Sequence, residues 1–341
     1  MERTCLVAIA VLFACADARD DGSVFTTVPA VDDEGDDDDS ETGNGDDDGS
    51  DDEDGSVDGD GGDDEGGPRL DVGAPDTGDT AGADGGECEC APKSSLIYLL
   101  SDTAELWLFD PSTLDFTKVG SFDCGVPPTT FSMGVARDGT AWIMFQPTGE
   151  IFLVDVNDAN TCMASEWQPD QFGYNLFGMG FSSPAQGGCD DLFLHSFDGG
   201  EWAEGENLGM LARVDRDTMT AVPVAPIDYN GGELSGTGDG RLFAFAGAGG
   251  AKLVEYDRAS GEELAITVIP NLELTYAFAF AFWGGDFFFF TESGGLGTPS
   301  RVTWLDHDES EGGGSTAIVA QAPLRVVGAG VSTCAPLTPP G

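Results

Sequence analysis

The chain has 341 residues, with 63 Asp or Glu against 13 Lys or Arg and a formal net charge of −50. An excess of that size excludes a phosphate-reading role, since nucleic-acid binding needs clustered Lys and Arg, and it favours cations or cationic surfaces as partners. The charge is uneven: residues 32–65 hold 20 Asp or Glu and no Lys or Arg, while residues 92–341 carry 10 basic and 33 acidic side chains, a net 10 − 33 = −23.

Residues 5–14 are an unbroken apolar run behind Arg3. Ten residues are too few to span a bilayer as a helix, but they suit the apolar region of a signal peptide. The run ends Leu12-Phe13-Ala14-Cys15, which resembles the bacterial lipobox, although Phe13 is bulkier than usual at its position. That resemblance implies a signal peptide over 1–14 and a lipid on Cys15. With Ala16 next, it also implies sorting to the outer membrane or cell surface. Membrane contact is then expected only through the lipid anchor. The alternative is ordinary cleavage nearby, giving a secreted or periplasmic protein.

Residues 15–87 follow as an acidic, Gly-rich linker. Such a segment buries too little apolar surface to offset its ordering entropy, so disorder is expected, and like charges should extend it. Asp54, Ser56, Asp58, Gly59, Asp60 and Glu65 match the spacing of an EF-hand loop. No helical pattern flanks them, and Gly61 stands where an apolar residue belongs. Weak, nonspecific binding of divalent cations by the whole tract is the expectation, with no other cofactor.

The remaining domain, 88–341, is built on a repeat. Leu106–Asp110, Ile151–Asp155, Leu211–Asp215, Leu253–Asp257 and Val302–Asp306 are each a β-type run closed by an aspartate, with Asp-to-Asp steps of 45, 60, 42 and 49 residues. A period of that size made of strands and turns predicts a β-propeller. In the second copy, Ser132–Ala136 reads as the inner strand, Arg137-Asp-Gly-Thr140 as a hairpin turn, Ala141–Phe145 as the second strand, and about 161–167 as the outer strand. Leu176–Phe181, Glu233–Gly240 and Tyr276–Phe282 open the next three copies. The first copy, at Leu96–Leu100, lacks an inner strand, whereas Arg325–Val331 is a strand with nothing after it. Joining the two closes an all-β, five-bladed propeller and removes its open edges. The Phe287–Phe290 run should lie between neighbouring blades. The closing aspartates should cap backbone N–H groups at turns, a ring of calcium ligands being the alternative.

Ser132-Met-Gly-Val, Phe177–Phe181, Glu233–Phe243, Phe280–Asp286 and Gly328–Pro336 resemble a group of bacterial secreted proteins and lipoproteins that carry an acidic or low-complexity spacer before the domain. The resemblance covers roughly 88–341 and implies fold and location, but no activity. More loosely, the blades are similar to NHL-type and quinoprotein-like propellers, and no residue here marks a cofactor site of theirs.

Loss of Cys5 with the signal peptide and lipidation of Cys15 leave Cys88, Cys90, Cys124, Cys162, Cys189 and Cys334, an even set that favours three disulfides in an exported chain. Cys334 follows the closing strand and should bond Cys88 or Cys90, which precede its partner strand. Ideal propeller geometry places Cys162 and Cys189 on one face, while sequence proximity favours Cys124 with Cys162. Both pairings stay open.

No nucleophile or zinc-site motif surrounds His195 or His307, and no catalytic residue is marked. Glu233 is the one carboxylate placed on an inner strand, and Asp239 falls in a turn. The insertion near 198–206 offers Trp202 among Glu201 and Glu204, a recognition loop or simply a solvated one. The reading is a non-enzymatic interaction module for a protein or glycan. The alternative is a hydrolase, possibly acting on glycans, whose site the sequence does not mark.

Overall fold

A computed structural model describes residues 89–184, 189–307 and 314–340. The signal peptide, Cys15, the acidic linker with its calcium-loop spacing, and Cys88 lie outside the described residues. Those described form twenty strands and no helix, arranged as five four-stranded antiparallel sheets.

The first blade contains β1 (Ile97–Ser101), β2 (Glu105–Asp110) and β3 (Asp115–Ser121). β4 (Thr130–Val135), β5 (Thr140–Phe145), β6 (Glu150–Asp155) and β7 (Asp158–Ala164) make the second. β8 (Leu176–Ser182), β9 (Asp191–Phe197), β10 (Ala203–Asp215) and β11 (Thr220–Asn230) make the third. The fourth is β12 (Gly232–Gly236), β13 (Leu242–Ala246), β14 (Lys252–Tyr256) and β15 (Glu263–Val268). The fifth is β16 (Phe278–Trp283), β17 (Asp286–Glu292), β18 (Ser300–Leu305) and β19 (Ser315–Val319). The last strand, β20 (Val326–Gly330), completes the first blade by pairing with β1, Tyr98 opposite Gly330 and Leu100 opposite Gly328. The ring is therefore closed by the two ends of the domain.

Alternation of side chains across each strand supplies two apolar faces per blade, and five clusters fill the gaps between blades. The Phe287–Phe290 run shows the logic. Phe287 and Phe289 pack against Phe243 and Phe245 of the fourth blade, while Phe288 and Phe290 face Phe109 of the first. All four rings are buried.

Four of the five closing aspartates cap turns. Asp110 accepts from Ser112 N at 2.9 Å, Asp155 from Asn157 N at 2.8 Å, Asp215 from Asp217 N and Thr218 N at 3.1 Å, and Asp257 from Ser260 N at 2.7 Å. Each sits at the end of its own β-strand toward the blade's outer edge, so these carboxylates serve separate turns.

Cys334 bonds Cys90, stapling the closing segment to the start of the domain. Cys124 bonds Cys162, which excludes the pairing of Cys162 with Cys189. The reason is the outer strand's start. β7 begins at Asp158, about three residues earlier than its sequence pattern suggests, so Cys162 stands about 13 Å along it, near the connection bearing Cys124. Cys189 is also disulfide-bonded.

Candidate functional site

The five inner strands, β4, β8, β12, β16 and β20, all run in the same sense around the axis. Their far ends meet the carboxyl-terminal segment. Ser332 Oγ donates to Ser94 O at 2.7 Å, and Thr333 Oγ1 accepts from Arg137 Nη2 at 2.8 Å and bonds Asp190. Gly284 N donates to Pro336 O at 2.8 Å. A Cβ on Gly238 would lie 2.5 Å from Thr333 O, so the segment lies directly on the fourth blade too. It crosses the end of the channel and closes it.

The starts of four inner strands, β4, β12, β16 and β20, line a cavity of about 640 Å³. Its floor holds Glu233, from the start of β12. Ser132 Oγ on β4 donates to Glu233 Oε2 at 2.8 Å. These strands belong to the second and fourth blades, and β8 of the third passes between. A Cβ on Gly178 of β8 would sit 2.0 Å from Gly232 O and 2.7 Å from Glu233 Cα, so only glycine admits β12 this close. Glu233 is 5% exposed, and burial raises its carboxyl well above the ordinary range, the Ser132 hydroxyl opposing that in part. The neutral form is favoured.

The wall is aromatic. Trp202 stacks on Phe197 with centroids 4.2 Å apart and meets Phe278 edge-on at 4.9 Å, and Phe131 stacks on Phe197 at 6.0 Å. Gly231, at φ 83°, lets the chain turn beneath this group, for a Cβ there would lie 2.3 Å from Trp202 Cζ3. Asn230 Nδ2 anchors the preceding loop by donating to Asp198 Oδ1 at 2.6 Å and Glu201 O at 3.0 Å. On the opposite side, Arg325 donates to Glu292 Oε1 at 2.8 Å and Asp102 Oδ2 at 3.1 Å. Buried Glu292 also accepts from Tyr276 N at 3.1 Å, which presents the 77%-exposed Tyr276 at the rim.

Of the residues singled out in sequence, Trp202 and Glu201 line this cavity. Glu204 instead belongs to β10, where it pairs with Lys252, because the insertion is largely absorbed as extensions of β9 and β10. Asp239 accepts from Thr237 Oγ1 within its turn. His195 is buried between blades, its Nδ1 3.3 Å from Ser196 O, and burial pushes it from 6.5 to about 4. His307 packs on Phe287 at 5.0 Å. Sequence reasoning missed Phe131, Gln146, Glu273, Tyr276 and Arg325. Their signal was positional, since most stand at or just before the start of an inner strand. Glu233 is the one carboxylate on the five inner strands.

No protein-family model matches this chain, and no curated protein matches it in sequence. Solved structures similar to it include a hydrazine synthase from Kuenenia stuttgartiensis, at 15% identity over 68% of this chain and 64% of that one, with a TM-score of 0.35. TolB from Acinetobacter baumannii is similar at 13% identity over 67% of this chain and 53% of that one, TM-score 0.39. Virginiamycin B lyase from Staphylococcus aureus is similar at 14% over 67% and 71%, TM-score 0.37. The chain thus spans less than two thirds of the first two. Likeness at this level says nothing of what this chain binds or does.

Proposed function

We propose that this chain is an exported binding module whose propeller admits part of a partner, a protein side chain or a glycan end, into the cavity at its open mouth. The observation that carries this is the one-ended channel. The carboxyl-terminal segment closes one end, while the other opens into a cavity with an aromatic wall and a buried polar floor. Cavities of this size and lining are where ligands lodge in folded domains. The lipobox-like sequence and acidic linker support a tether through Cys15 that holds the domain off a membrane surface.

Two measurements test this. Intact mass of the protein extracted from its native membrane should equal residues 15–341 plus acyl chains; an unacylated mass removes the tether. Binding of the full chain to glycan and peptide arrays should fall at least tenfold with Trp202→Ala; signals indifferent to that change place recognition elsewhere.

A hydrolase reading draws on Glu233, a carboxyl at a cavity floor that burial raises toward the range of a general acid. Its base or nucleophile would have to come from the loops, where Glu201 and Glu273 line the same cavity. Turnover of an array glycan, abolished by Glu233→Gln, would favour it.

A further inference from the structure

Glu233 is the unusual group of this cavity. A carboxyl that is 95% buried loses most of its hydration, yet only Oε2 has a partner, the Ser132 hydroxyl. No described residue bonds Oε1. Oε1 therefore faces the cavity, where it is open to a donor from a ligand. Its surroundings sort the possible donors by charge. Arg325 is already held by Glu292 and Asp102 and so is not a free counter-charge for an anion. Glu201 and Glu273, the other carboxylates on the cavity's lining, repel anions. The other titratable neighbour is His195 on β9, whose Nε2 would lie 3.1 Å from a Cβ on Gly232, and burial keeps it uncharged. The domain's net −23 adds a long-range pull on cations. Aromatic rings at the wall and rim, Trp202, Phe131 and Tyr276, suit a cation carried on an apolar frame.

We propose that the cavity binds an organic cation, a primary ammonium on an apolar or aromatic frame, with Glu233 as its counter-charge. The proposal rests on the cavity being the binding site. Binding pairs the ammonium with the carboxylate, and any proton that the buried carboxyl holds beforehand leaves to solvent, so charge and atoms balance. A lysine side chain of a partner protein and a free amine share this chemistry.

The test is calorimetric titration of the full-length protein at pH 7 with benzylamine, benzyl alcohol and maltose, in two buffers of different ionisation enthalpy. Benzylamine should bind at least tenfold more tightly than benzyl alcohol and release a proton, up to one per site. Glu233→Gln should cost at least tenfold in benzylamine affinity and abolish the release. The acidic linker is intact in that variant, so nonspecific binding of amines there cancels. Equal binding of benzyl alcohol or maltose, or benzylamine binding unchanged in Glu233→Gln, overturns the cation while leaving the cavity as the site. Failure of all three probes to bind also overturns it. The broader binding reading falls with it only if array binding is likewise insensitive to Trp202→Ala.

Discussion

Ser132 and Glu233 lie 101 residues apart and meet at 2.8 Å across the strand that separates their blades. Burial raises this carboxyl and the Ser132 hydroxyl, donating to it, opposes that only in part, which has a consequence for stability. An acid whose folded pKa exceeds its unfolded value of 4.5 contributes stability that is complete below pH 4.5 and lost as pH rises toward the folded value. Glu233→Gln keeps the shape and can still bond Ser132. Its melting temperature should exceed that of the parent at pH 7.5, and the gap should close by pH 4. A gap independent of pH would show that Glu233 is ionised in the folded protein.

His195 has the opposite dependence. Burial depresses it from 6.5 to about 4, so its contribution is complete above pH 6.5 and lost as pH falls toward 4. The loss amounts to about 3 kcal/mol. Urea unfolding at pH 7 and pH 4 should show a smaller acid loss in His195→Met than in the parent.

Arg325 and Glu292 form the most buried ion pair at the mouth, with no exposure of the Glu292 side chain. Removing one partner leaves an uncompensated charge, so Arg325→Met should cost about 3–5 kcal/mol. Adding Glu292→Gln should recover much of that, giving a strongly non-additive double-mutant cycle in urea midpoints. Additive losses would show that the pair does not act as a unit.

The two disulfides constrain loops of different size, with sequence separations of 244 and 38. In the chain-entropy account the limits are about 5.5 and about 4 kcal/mol. Replacing Cys334 with Ala should therefore lower stability more than replacing Cys124, and it should loosen the segment that closes the channel. Hydrogen exchange at Thr333 and Ala335 should rise in the first variant only.

Core and rim should separate cleanly. Phe289 is wholly buried among Phe245, Phe280 and Phe287, so Phe289→Ala should cost about 3–5 kcal/mol. Leu264, 57% exposed on the outer strand β15, should change stability by no more than about 0.5 kcal/mol on substitution with Ser. Chemical denaturation checks both.

The sequence by itself determined the blades. Alternation of apolar residues, Asp-capped turns and a recurring period are properties of a few adjacent residues, so they are legible without knowing what lies across the ring. Counting strands also placed β20 beside β1, because only that pairing leaves no blade short. The tertiary structure alone decided which mouth is open, since that depends on where the segment after Gly330 crosses the channel. It decided that Cys90 bonds Cys334 and that Cys124 reaches Cys162, because a shift of three residues in an outer strand moves a side chain about 10 Å along the blade. It also turned Trp202 inward onto Phe197 and Phe278. The cavity is assembled from the starts of inner strands tens of residues apart, and their proximity is set by ring geometry rather than by local sequence.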